Sequence, residues 1–507
     1  MGIAVEAVNK LKGAVGADFV STEAYVLHCY AKSVDPSYDR MPPAVVVKPK
    51  STEEVVSIVN IANKFKIPIV PRGCGADLTA GARPTREGMM VVDFMNMDRI
   101  ELDIGSGVVN CQPGVTWGKL VAELGKHGLY TGQLGPANSS GSLGGSVSNE
   151  SVGGGGETMF GSIGDCITSL EIVLPNGKVI TTGAAQSNYS KPWYGGRYVG
   201  GPDLTGMFIG DPGLLGIKTG ISLRVHPMPP FWKTKTYLVP GNDKDMLSDL
   251  KNVSEVFMEW ERSSNFGIFG MGYWNYSFVN ILGSYEIFSP WAQLIEPGKL
   301  SCDGALAVIV NAWTEEDLLW KFKSLEVALE KRGCKVFGDE ISEGNWARWM
   351  LEKTGNWSYF HPAWGVSGAG PNCQVNVTDA CWPDIVPVFE KIADHYGKNV
   401  RRFLDAKMAM SYMLTPVGGG AKIVIGYPAA QEIPEFETRE LRRELIEEQV
   451  EILFKNGALP IWTGPSFSHI LVDAGIIKKE YLDFLKGLKD HLDPNGILSP
   501  GKFHFNE

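Results

Sequence analysis

Between residues 44 and 79 the hydrophobic pattern changes period twice. Residues 44–48 form a β-branched apolar run that predicts a strand. Ser51-Thr-Glu-Glu54 then offers a capping box, and Val55, Val56, Val59 and Ala62 recur at helical spacing. Residues 67–70 predict a second strand that runs directly into a glycine turn. Further strands are expected at 89–94, 107–111 and 221–225, a helix at 117–127, and a hairpin over 170–182 turning at Asn176-Gly177. Residues 1–16 read as a short amphipathic helix. Near the other end, 481–491 predicts a helix followed by a turn at 493–496. The prolines of residues 226–230 mark a change in character, because 12 of the 14 tryptophans lie beyond them.

At 507 residues the chain exceeds what one core ordinarily organises, so two domains are expected. A formal charge of −10 disfavours a nucleic-acid partner and leaves a small-molecule substrate. With no secretory h-region at residues 1–16 and no 18-residue apolar stretch, the expectation is a soluble, cytoplasmic protein without a membrane span. The eight cysteines contain no C-x-x-C pair, so neither a zinc site nor a cysteine-held iron–sulfur cluster is encoded. No internal repeat is evident, which removes solenoid and propeller folds.

The candidate chemistry lies in glycine. Pro71, Arg72, Gly73, Cys74, Gly75, Ala76, Asp77, Leu78 and Thr79 form a strand-to-loop passage in which glycines let backbone N–H groups converge on an anion, with Asp77 and Thr79 as caps. The spacing is not G-x-G-x-x-G, and no P-loop is present. A second loop, residues 136–149, adds hydroxyls, an amide and the pair Gly144-Gly145 about 65 residues downstream. Two separated glycine loops suit a long diphosphate cofactor held at both ends. A third small-residue segment, 203–217, precedes the strand at 221–225.

These segments occur in a recognisable order. Pro-Arg-Gly-x-Gly-x-x-Leu-Thr is followed by residues 112–116, by Gly141-Ser-Leu-Gly-Gly with Asn149, by 161–165, by 170–177 and by Asp203-Leu-Thr-Gly-x-Phe. The order resembles the FAD-binding domain of the vanillyl-alcohol oxidase/p-cresol methylhydroxylase (PCMH-type) superfamily, nearest to its glycolate oxidase flavoprotein subunit and D-lactate dehydrogenase branch. The resemblance covers about 44–227 and returns at 492–502. It implies an α+β fold: a two-subdomain FAD-binding domain (1–230), a cap with an antiparallel sheet (231–465) and a C-terminal segment (466–507) rejoining the first domain. It also implies FAD as cofactor, held noncovalently. Residues 72–79 would cradle the pyrophosphate. Pro136, Ser142, Gly144, Gly145, Asn149, Gly161 and Ile217 would line the flavin and adenine path, and Lys502 would lie near it. Cys74 departs from the glycine usual at its position.

The branch's metal site is not matched. Its histidine and glutamate positions are taken here by Pro416, Ile423, Pro465 and Ser466, whose side chains do not bind a hard or borderline cation as imidazole or carboxylate does, so no metal is expected. For catalysis His469 is the first candidate base, followed by Tyr427 and Tyr412. For the substrate pocket, His361 and Trp364 supply aromatic groups, Asn372, Gln374 and Asn376 alternate along one predicted strand, and Arg401 offers a carboxylate anchor. The function expected is hydride transfer from an alcohol or 2-hydroxy acid to flavin N5. The alternatives are metal-free oxidation of an aromatic or alkylphenolic alcohol and a non-catalytic flavin subunit. A separate iron–sulfur or cytochrome acceptor and a homo-oligomer complete the expectation.

Overall fold

The computed structural model describes residues 3–31, 41–77, 79–133, 140–151, 155–189, 196–241, 248–262, 267–274, 304–336, 373–381, 411–417, 420–428 and 453–506, with 387, 390 and 451 as isolated positions. The first sheet has the order β1-β2-β4-β3, built from β1 (Val20–Ser21), β2 (Val45–Val47), β3 (Ile69–Arg72) and β4 (Met90–Asp93). β4 runs parallel to both β2 and β3. The connection between β2 and β3 is α3 (Thr52–Phe65), in which Ser51 accepts the Glu54 N–H at 3.3 Å while the Glu54 carboxylate takes the Lys50 N–H. Val55, Ile58, Val59 and Ala62 are buried against α1 (Val5–Val15), whose own buried face is Ala7, Leu11 and Val15. α2 (Ala24–Tyr30) packs on the strands, and Tyr30 donates to Asp93 at the end of β4.

The second sheet has the order β5-β6-β10-β8-β9 and is antiparallel: β5 (Ile100–Asp103), β6 (Val108–Cys111), β8 (Ile167–Val173), β9 (Val179–Thr181) and β10 (Ile217–Arg224). The hairpin from β8 to β9 turns at Gly177, whose φ of 80° needs no Cβ, and the Asn176 side chain accepts the Lys178 N–H. α4 (Trp117–Gly125), α5 (Leu143–Ser148), α6 (Glu157–Phe160) and α7 (Ile163–Cys166) surround this sheet. A two-stranded ribbon of β7 (Leu129–Tyr130) and β11 (His226–Pro227) ends the region.

The third sheet holds eight strands in the order β15-β12-β14-β13-β17-β18-β16-β19. They are β12 (Phe231–Val239), β13 (Ile268–Trp274), β14 (Gly304–Ala312), β15 (Lys335–Val336), β16 (Cys373–Cys381), β17 (Ser411–Val417), β18 (Gly420–Pro428) and β19 (Leu459–Pro460). Every pairing within it is antiparallel. One face is covered by α8 (Ser248–Arg262) and α9 (Glu315–Glu330): Tyr237 and Lys235 both reach Glu326, and Tyr273 donates to Asp249. The other face meets the first domain. Trp232 and Phe269 lie against Tyr130, the Met271 N–H bonds Thr158 Oγ1 at 3.0 Å, and Gly270 lies against Gly155 and Gly156.

After α10 (Pro465–Asp473) and α11 (Lys479–Leu492) the chain returns to the first sheet. The Ile69 N–H donates to Ile497 O and the Ser499 N–H to Ile69 O, making a short parallel bridge beside β3.

Glu157 opens α6 on this seam between the domains and is 2% exposed. Its carboxylate accepts the Gly155 N–H at 2.8 Å, and burial pushes its pKa up to about 7. A carboxyl raised in the fold contributes stability that is complete below its unfolded value near 4.5 and is lost as pH rises to about 7. Glu157→Gln retains the acceptor and removes the titration. Thermal unfolding should show the variant more stable than the parent at pH 8 by roughly 2–4 kcal/mol, with the difference vanishing near pH 4.5.

Candidate functional site

Two glycine loops, separated by some 70 residues of sequence, touch. The Cys74 N–H donates to Ser142 Oγ at 3.2 Å, and a Cβ on Gly73 would overlap that same oxygen. Gly144 is pressed onto Pro113, whose Cβ would lie 2.6 Å from an added Cβ. Gly75 has φ +76° with the Arg72 guanidinium against it, so a side chain there meets both strain and collision. Arg72 itself braces the loop, donating to Ala82 O at 3.0 Å and lying 5.3 Å from the Tyr30 ring centroid.

Asp77 ties the loops side by side. Its carboxylate accepts the Thr79 N–H and hydroxyl, the Gly81 N–H, and Asn149 Nδ2 at 3.2 Å. A third backbone approach comes from the C-terminal segment. Gly464 packs so closely on Thr79 that no Cβ fits, and the Ser466 N–H points at Thr79 O at 3.4 Å. Of the residues that make up this junction, Gly75, Ala76, Asp77, Gly144, Gly145, Asn149 and Gly161 keep partial exposure, while Thr79, Ser142 and Lys502 are buried. The Gly75 and Ala76 N–H groups have no hydrogen-bond partner among the described residues. Unpartnered N–H groups in a left-handed glycine turn, with a Cβ excluded at several surrounding positions, fit a dinucleotide diphosphate.

The remaining sequence candidates fall in different places. Gly161 has φ +78° and abuts the Asp165 carboxylate, which caps α7 through the Ser162 N–H. The Ile217 side chain is buried in the core with Val173 and Ile497. Pro71 lies against Gly213. Leu78, Pro136, His361, Trp364, Asn372 and Arg401 lie outside the described residues.

The catalytic candidates lie in α10, β17 and β18. His469 Nε2 is hydrogen-bonded to Gly501 O, and its ring stacks on His504 at 4.1 Å. His504 in turn pairs with Asp473 at 3.0 Å. In the cap, Tyr427 pairs with Gln374, and Ile425 pairs with both Tyr412 and Asn376. The side chains of Gln374, Asn376, Tyr412 and Tyr427 lie outside the described residues.

The sequence reading missed Glu157 and the close approach of Gly464. A single buried glutamate beside a glycine run carries no periodic signal, and Gly464-Pro465 was legible only as part of a lost ligand segment. Among the described residues, no helix is long and apolar enough to cross a membrane.

Comparison with known proteins agrees with this geometry. Residues 43–183 match the FAD binding domain family. Glycolate oxidase subunit GlcD of Bacillus subtilis (strain 168) is 34% identical over 215 residues, covering 42% of this chain and 43% of that protein. The mitochondrial D-lactate dehydrogenase (cytochrome) of Arabidopsis thaliana is 26% identical over 464 residues, 91% of this chain and 73% of its own. The match to the first of these relatives thus spans less than half of its length. The crystal structure of p-cresol methylhydroxylase with substrate bound superposes with a TM-score of 0.81 at 19% identity, covering 99% of this chain and 98% of that one. The 4-ethylphenol oxidase from Gulosibacter chungangensis gives 0.79 at 18% identity, with 99% and 98% covered. The chain carries an FAD binding domain at residues 43–183 and has the fold of p-cresol methylhydroxylase over nearly its whole length.

Proposed function

We propose that this protein is an FAD-dependent oxidoreductase that removes hydride from the carbon of a CH–OH group on a small alcohol or 2-hydroxy acid. The observation that carries the reading is the contact between the loops at Gly73 and Ser142, beside the N–H groups of Gly75 and Ala76, which have no hydrogen-bond partner among the described residues. FAD bound there supplies a hydride acceptor at flavin N5. Residues 73–77 and 144–149 would hold the diphosphate, with Gly161 further along the cofactor path. The cap's contribution is to face the first domain with one side of its sheet and so exclude water from the reacting carbon. GlcD and the D-lactate dehydrogenase, by name, favour a 2-hydroxy acid.

A second reading is favoured by one feature. Pro416, Ile423, Pro465 and Ser466 stand where a metal-binding cap would need imidazole or carboxylate, and Pro465 instead opens α10. A substrate held without metal, such as an aromatic or alkylphenolic alcohol, suits that composition. We also propose noncovalent flavin, a cytoplasmic setting, a homo-oligomer and a separate electron acceptor protein, the last because the sequence encodes no cluster motif.

Three measurements test these readings. Purified full-length protein should be yellow, or become so with added FAD, and acid precipitation should leave a colourless pellet; a chain that takes up no FAD removes the whole proposal. Anaerobic bleaching of the flavin by a panel of 2-hydroxy acids and alkylphenols should separate the two substrate readings, and bleaching by any of them excludes a non-catalytic subunit. Gly73→Ala should weaken FAD binding by about five- to 150-fold, the equivalent of roughly 1–3 kcal/mol of overpacking, and adding Ser142→Ala should recover part of it. With His469 as the first candidate base and Tyr427 and Tyr412 next, His469→Gln, Tyr427→Phe or Tyr412→Phe should lower the rate of flavin reduction in stopped-flow traces by about 100-fold or more for the residue that acts as the base.

A further inference from the structure

Arg72 ends β3, and Asp93 ends β4 directly beside it in the parallel register. Opposite charges at facing positions of neighbouring strands ordinarily attract each other into contact. Here no ion pair joins the two among the described residues. The Asp93 carboxylate, 6% exposed, instead accepts the Tyr30 hydroxyl at 2.5 Å and the Met95 N–H at 2.9 Å, with the Lys48 ammonium 3.9 Å away. Tyr30 closes α2, and the Arg72 guanidinium lies over its ring, 5.3 Å from the centroid. The tyrosine therefore serves both charges, giving the aspartate a proton donor and the arginine a π face.

The guanidinium is left facing the first glycine turn. Arg72 Nη1 donates to Ala82 O at 3.0 Å, and Nη2 lies so close to Gly75 that an added Cβ would sit 2.1 Å from it. Gly75 has φ +76°, and the N–H groups of Gly75 and Ala76 have no hydrogen-bond partner among the described residues. The carboxylate of the same turn, Asp77, is taken up by Thr79, Gly81 and Asn149. A positive charge and two donor N–H groups thus meet at one turn, a combination that suits an anion.

Direct pairing of Arg72 with Asp93 would undo this arrangement. It would draw the guanidinium toward β4 and away from Gly75, and would cancel most of its charge at short range. Burial and the Asp93 hydrogen bond push the Tyr30 phenol far above its ordinary range, so it stays a donor. We propose that Tyr30 is a positioning residue for the diphosphate: it engages Asp93 through its hydroxyl and Arg72 through its ring, keeps the two charges apart, and so leaves the guanidinium against the Gly75 turn. Its action runs through Arg72. The inference rests on the FAD reading and adds to it a part for α2, which precedes the residues 43–183 that match the FAD binding domain family.

The test titrates full-length variants with FAD, with ADP and with riboflavin, which carries no phosphate. Tyr30→Phe keeps the ring and loses the hydroxyl, so Asp93 becomes free to take Arg72; FAD and ADP should bind about three- to tenfold more weakly, with riboflavin affinity unchanged. Adding Asp93→Asn removes the competing charge and should bring both affinities back to within about twofold of the parent. In an Arg72→Met background, itself weaker for ADP, Tyr30→Phe should change nothing further. Parental ADP affinity in Tyr30→Phe, a deeper loss on adding Asp93→Asn, or an equal loss for riboflavin would overturn the proposal. Melting temperatures are read alongside. If Arg72→Met does not fold, the Tyr30–Asp93 cycle decides alone in the directions given. If Tyr30→Phe does not fold, Asp93→Asn decides: ADP affinity at or above the parent's supports the proposal, and a loss overturns it. Parent protein that binds neither FAD nor ADP would sink the flavin reading itself, whereas binding without this coupling sinks only the role of Tyr30.

Discussion

The structure depends on one close approach, that of the Gly73 backbone to the Ser142 hydroxyl. Because the second partner is a side chain that also accepts the Cys74 N–H, the two loops cannot separate without leaving a polar group unmatched, and cannot come together if residue 73 carries a Cβ. Each loop is in turn the end of a regular element. The first leaves β3, whose register beside β4 is fixed by parallel pairing, and the second leads into α5, where Ser146 accepts the buried Trp117 indole N–H at 2.8 Å. Two independently organised sheets are thereby brought to a common junction.

The C-terminal segment extends the same constraint. Through the bridge beside β3, the Lys489–Asp493 pair and the Gly464–Thr79 contact, the last forty or so residues pack onto the element that carries the first loop. Burying an ammonium is costly unless its charge finds a partner, so Lys489 and Lys502 are tolerated only where carbonyls and aspartates have already been placed. The cap is held against the first domain by the aromatic contacts of Tyr130, Phe160, Trp232 and Phe269 and by the Met271–Thr158 bond.

How much of this was legible in the sequence follows from what each residue type reports. Glycine reports a local backbone demand, so Gly73, Gly75, Gly144 and Gly161 pointed to their positions individually, and Asn176-Gly177 placed its hairpin to the residue. The strand–helix–strand passage from β2 to β3 was readable because its periods differ sharply. The burial of Lys489 and Lys502 was not readable, since neither differs in sequence from any surface-exposed lysine. Only the carbonyls and, for Lys489, the aspartate around them distinguish them.

The cap shows a more general limit. Alternation along a strand assigns residues to two faces but labels neither, and the label is ordinarily read from hydrophobicity, because one face is wet. Here one face is covered by α8 and α9 and the other by the first domain, so contrast disappears: every residue of β14 from Gly304 to Ala312 is buried. The amide alternation through Gln374 and Asn376 therefore carries no label of its face in the sequence, and the pairing of Gln374 with Tyr427 and of Asn376 with Ile425 fixes the register of the strand alone.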